Sequence, residues 1–106
     1  MSNKPRVFVI QDDGSRDFSD ARRFGELVPL FERDAYPDDA EQRVEVMLQI
    51  VEAKMQDFNP IHDSILLTGD PLAIAIVAGW ALANEVVFFL KWDKENRRYF
   101  RVPVRV

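Results

Sequence analysis

Three aspartates stand where two apolar runs end: Asp12-Asp13-Gly14 follows RVFVIQ, and Gly69-Asp70-Pro71 follows SILLT. In α/β folds, ligands bind beyond the carboxyl ends of parallel strands, where helix N-termini offer unpaired amides to anions. If both runs are parallel strands, Asp12, Asp13 and Asp70 end at one sheet edge. Three carboxylates there would suit magnesium, which takes oxygen ligands and serves phosphate chemistry. The same residues have a plainer role. Asp is a preferred N-cap, and Pro is favoured at the first helical position because it has no amide to lose. A capping carboxylate fills the place a phosphate would take, and neither GxxxxGK[ST] nor GxGxxG occurs. The corner is therefore read first as structural, with no catalytic residue and no cofactor expected. A magnesium-dependent phosphate or nucleotide enzyme using Asp12, Asp13 and Asp70 is the alternative.

His62-Asp63-Ser64 contains the residue types of a hydrolytic triad but not its arrangement, because adjacent residues in an extended chain cannot aim at one another. His62 is also the single histidine, which limits imidazole-based metal binding and acid–base chemistry. The last sixteen residues are richer. Lys91-Trp92-Asp93 and Arg97-Arg98-Tyr99-Phe100-Arg101 combine cations with aromatics, the chemistry that grips phosphates and stacks on single-stranded bases. The plainer reading is an edge hairpin whose cations guard against aggregation, and an exposed edge also accepts a partner strand.

The elements that would carry these residues follow from periodicity. Arg6 to Gln11 is β-branched and aromatic, as a buried strand requires. RDFSDARRFGELVPLF reads as one helical turn capped by Asp17 or Ser19, ended by a left-handed Gly25 and followed by a second strand that Pro29 places at a sheet edge. Pro37-Asp38-Asp39 opens an amphipathic helix, about 38 to 57, with Ala40, Val44, Met47, Leu48, Val51 and Met55 on one face, and Asn59-Pro60 stops it. Ile65 to Thr68 is the third strand, Pro71 to Asn84 the second helix and Val86 to Trp92 the fourth strand. Asp93 to Asn96 turns the chain into a fifth strand ending near Val106, with Asn96 at the left-handed position. Alternation sends Phe100, Val102 and Val104 to one face and Tyr99, Arg101, Pro103 and Arg105 to the other. The order β-β-α-β-α-β-β implies a single compact α/β domain, residues 1–106, with two main helices on a mixed sheet of about five strands.

Composition bounds what such a domain does. The 106 residues suit one core, and the absence of cysteine removes disulfides, thiolate metal sites and cysteine nucleophiles and fits a reducing cytosol. No stretch suits a signal peptide or a membrane span, so a cytoplasmic protein is expected. The net charge is −4, yet residues 91–106 hold six cations against two acids, so the remainder carries −8. That balance disfavours a general nucleic-acid binder. The second helix carries Leu72, Ile74, Ile76, Val77, Trp80 and Leu82 among small residues, an all-round apolarity that a small domain has few elements to cover.

VFVIQ, RDFSDARRFGEL, SILLTGDPLAIAIVAGWA and LKWDKENRRYFRVPV, in this order, resemble a family of short proteins encoded in tailed-phage genomes. The resemblance weakens between Arg33 and Phe58 and carries over no catalytic residue. It implies a context, a small soluble protein made in the cytoplasm of an infected bacterium. The leading expectation is a non-enzymatic accessory protein that binds an unknown protein partner or forms a homodimer. Its expected interaction surface comprises Trp80, Lys91, Arg98, Tyr99, Arg101 and Arg105. Weak single-strand binding by the basic hairpin is a third reading.

Overall fold

The run Val7-Phe8-Val9-Ile10 has no polar face, and the fold buries both of its faces. In the computed structural model, which describes residues 4–32 and 39–105, it forms the core of β1 (Arg6–Gln11). The elements that follow are a 3₁₀ helix (Ser19–Phe24), β2 (Glu26–Phe31), α1 (Ala40–Lys54), β3 (Ser64–Leu66), α2 (Pro71–Ala81), β4 (Val86–Asp93) and β5 (Arg98–Arg105). The sheet order is β2-β1-β3-β4-β5. The first four strands are parallel, and β5 returns antiparallel to β4. The expected α/β domain with a five-stranded mixed sheet is thus present. The strands carrying Pro29 and Pro103 lie at its two edges, where a missing backbone donor is tolerated.

The helices share one side of the sheet. Phe8, Ile10, Leu30, Ile65, Val87 and Phe89 meet Met47 and Val51 of α1, Met55 just past its end, and Ala73, Val77 and Ala81 of α2. Parallel neighbours need a crossover of a dozen or more residues, and between β1 and β2 residues 12–25 supply it through the 3₁₀ helix. That crossover covers the opposite side, with Phe18 and Ala21 on Val7, Val9, Leu66, Leu90 and Tyr99, and with Phe24 and Leu27 at the margin.

Several local expectations change. Asp39 caps α1, its carboxylate accepting from the Gln42 amide at 3.0 Å; Pro37, Asp38 and Val106 lie outside the described residues. Helix α1 stops at Lys54, before Asn59-Pro60, with Met55 as its C-cap, at φ −105° and ψ 21° and donating its amide to the Val51 carbonyl. The Lys54 ammonium donates to the Pro29 and Leu30 carbonyls at 3.0 Å each, tying the helix end to strand β2. Only Met47, Val51 and Met55 of the predicted apolar face are buried, and Leu48 is exposed. Gly25 ends the 3₁₀ helix with φ 152° and ψ 179°, an extended conformation that only glycine adopts readily, not the left-handed one. Added carbon there would strike the Pro5 carbonyl. In the hairpin, Arg97 and not Asn96 has positive φ, at 53°. Asn96 instead donates its side-chain amide to Asp93 at 2.7 Å.

Helix α2 hides most of its apolar surface within the domain. Trp80 is half-buried and meets Phe58 edge-on at 6.0 Å between ring centroids. The α2 residues left exposed are Pro71, Ala75 and Gly79, with Leu72 the large exception.

Candidate functional site

The Gly-Asp-Pro corner is built by a neighbouring strand. The Gln11 side-chain carbonyl accepts from the Asp70 amide at 2.7 Å, and the Asp70 carboxylate accepts from the Leu72 amide at 3.1 Å. Gly69 has φ +105°, and a side chain on it would overlap Gln11. Strand β1 therefore fixes the turn that starts α2.

Asp12 and Asp13 close the same end of the sheet but turn into their own loop. Asp12 accepts from the Gly14 amide and Asp13 from the Ser15 amide, each at 2.9 Å. With Gly14, Pro29 and Glu32 they line an open cleft of about 360 Å³, so the third acid beside them is Glu32, on the β2 side, and Asp70 is not part of that lining. Among the described residues no group of three or more histidine or acidic side chains stands close enough to hold a metal ion.

His62-Asp63-Ser64 forms a structural junction. Asp63 is buried, and its carboxylate accepts from the Arg6 amide at 2.9 Å, the Arg6 guanidinium at 3.0 Å and the Asn59 amide at 2.9 Å. Ser64 accepts from the Arg101 Nε at 2.9 Å, while the same guanidinium donates to the Ile61 carbonyl at 2.7 Å and lies 3.6 Å from the Phe88 ring centroid. Arg101 is thereby committed to the fold.

The hairpin sorts its side chains in a way alternation alone does not foretell. Tyr99 is 6% exposed, lying beneath the 3₁₀ helix, whereas Phe100 is 41% exposed and Trp92 42%. The missed signal was Phe18, Ala21 and Phe24, apolar at the three-residue spacing of a 3₁₀ helix and in need of a sheet face. Asp20 accepts from the Tyr99 amide at 2.7 Å, and Arg23 donates to the Tyr99 carbonyl, so the crossover is latched to β5 from both sides of one residue. The Tyr99 amide, helped by Arg23 and opposed by desolvation, holds the Asp20 carboxyl below its ordinary range. Burial raises the Tyr99 phenol above its own.

Two exposed surfaces result. On the helix side, register aligns Leu67, Lys91 and Phe100 across the ends of β3, β4 and β5. Ile65 pairs with Phe89, the Leu67 amide donates to the Leu90 carbonyl at 3.3 Å, and Lys91 pairs with Phe100. Leu67 is 38% exposed and Leu72, in the first turn of α2, is 40% exposed. On the opposite side Arg16, Asp17, Trp92 and Tyr99 line a cleft of about 240 Å³, next to Arg22 and Arg23 of the 3₁₀ helix. Of the sequence-expected surface, Lys91, Arg98 and Arg105 are exposed, Trp80 and Arg101 are half-buried and engaged, and Tyr99 is buried.

No helix of the described residues is long and apolar enough to cross a membrane. A protein-family model described as Phage Pam3 gp32-like protein matches residues 5–106. No curated protein and no solved structure matches the chain.

Proposed function

This chain belongs to the Phage Pam3 gp32-like protein family, and we propose that it acts there as a non-enzymatic module that docks an acidic protein partner. The observation that carries this reading is the row Leu67, Lys91 and Phe100 with Leu72 nearby. Two large apolar side chains are left in solvent around a cation, at the end of the sheet next to its unpaired β5 edge. Adjoining apolar side chains exposed at a rim of cations mark interaction surfaces more often than solitary ones do. The partner is inferred to be acidic because Lys91 stands inside the row. A second copy docked face to face would set the two lysines against each other, so a different protein fits better than a homodimer.

The test compares tagged wild type with Leu67→Asp/Phe100→Asp and with Leu48→Asp, which alters an equally exposed leucine on α1. A partner identified from infected cells should be lost from the double variant and kept by Leu48→Asp. Equal retention by both would refute the docking site. A light-scattering mass of two chains, reduced to one chain only in the double variant, would replace the acidic partner with a second copy.

A further inference from the structure

The cleft on the other side of the hairpin has a different chemistry. Trp92 offers an indole ring to solvent and is held edge-on against buried Tyr99, with centroids 4.9 Å apart and planes at 67°. An exposed aromatic ring that is already fixed loses little conformational entropy on stacking. Arg16 lines the cleft with it, and Arg22 is exposed on the adjoining 3₁₀ helix. Among the described residues neither guanidinium makes a hydrogen bond or salt bridge. Of the neighbouring carboxylates, Asp17 lines the cleft, accepts from the Ser19 amide at 2.8 Å and attracts Arg22, while Asp20 accepts from the Tyr99 amide and pairs with Arg23 at 3.4 Å.

We propose that this cleft binds one nucleotide of a single-stranded nucleic acid, with the base against Trp92 and the flanking phosphates at Arg16 and Arg22. A duplex keeps its base faces stacked, so a ring-on-ring contact selects unpaired strands. An acidic peptide would satisfy the arginines but leave the indole unused. The cleft lies across the sheet from Leu67 and Phe100, so its test does not depend on the proposed protein partner.

Fluorescence anisotropy with a labelled oligothymidylate of about twelve nucleotides, at low and moderate salt, decides the matter. Trp92→Ala should weaken binding about tenfold, and Trp92→Phe, which keeps a ring, should weaken it less. Arg16→Ser should flatten the dependence of log affinity on log salt by about 0.7. Arg105→Ser makes the same change in net charge at the far end of β5 and should leave affinity within about twofold. The proposal is overturned if wild type shows no binding at low salt up to about 100 μM, the weak limit of non-specific association. It is also overturned if Arg105→Ser costs as much as Arg16→Ser while Trp92→Ala costs nothing. Displacement of the oligonucleotide by polyglutamate at equal charge concentration would overturn it in favour of an acidic peptide.

Discussion

Arg6 and Asp63, 57 positions apart, are joined twice: the backbone amide and the guanidinium of Arg6 both donate to the one buried carboxylate, at 2.9 and 3.0 Å. The junction fastens the start of β1 to the start of β3, and through Asn59 it also shapes the loop that leaves α1. Without the carboxylate, the Arg6 and Asn59 amides would lose their acceptor, and the guanidinium would keep only Asp57, whose carboxylate and carbonyl it also meets at 2.9 Å each.

Asp63→Ala should therefore lower unfolding stability by about 3 kcal/mol, within the range for breaking a buried charged pair. Arg6→Ala should cost less, because its side chain is partly solvated and its amide still reaches Asp63. Urea denaturation of the two variants measures both. Equal losses would show that the guanidinium, not the pair of amides, dominates.

Gly69→Ala should cost about 1–3 kcal/mol, through a strained positive φ and overlap with Gln11. Adding Gln11→Gly removes every Gln11 atom the new methyl group would meet, its Cβ included, but also removes the acceptor of the Asp70 amide. The double variant should accordingly be more stable than the sum of the single losses predicts. A thermal or urea double-mutant cycle reads this coupling, and strict additivity would show that backbone strain alone sets the cost.

The latch between Asp20 and Tyr99 makes an acid-sensitive contribution. The folded Asp20 carboxyl sits below its ordinary range, chiefly because it accepts the Tyr99 amide. Folding therefore favours the ionised form: the contribution is present above the unfolded value of about 4 and is lost as pH falls through the lower folded value. Asp20→Asn should flatten the acid limb of stability against pH below about pH 4 while leaving the neutral region's slope unchanged. Near-ultraviolet circular dichroism would follow Trp92 and Tyr99 through the same range. An unchanged acid limb would assign the pH dependence to Asp17, Asp57 or Asp93, which are also held low.

The order of elements was legible because each is announced by short-range chemistry: the β-branched run of β1, the Asp-Pro start of α2 and the Asp93 turn. The site residues depend on which elements cover which face, and alternation says only that two faces exist. Tyr99 and Phe100 are neighbours in sequence and both aromatic, yet a 3₁₀ helix far earlier in the chain buries the first and leaves the second in water. Likewise Arg101 resembled the other hairpin cations until Ser64 and the Ile61 carbonyl claimed it. Asp70 was legible as a cap, but its dependence on Gln11 was not, since the sheet order had to place β1 beside β3 first.

The central position of β1 has a consequence during synthesis. It leaves the ribosome before the other four strands of the sheet, yet its partner β3 comes 57 residues later, with Val7 pairing to Ser64. At translation rates of about 5–20 residues per second, the apolar run Val7–Ile10 waits about 3 to 11 seconds for that partner. Short β-branched segments exposed in this way are where nascent chains stick to one another. Lys4 and Arg6 stand before the run, and Asp12 and Asp13 after it. Charges at both flanks discourage such association, and in that interval the two aspartates act as gatekeepers before any folded site exists.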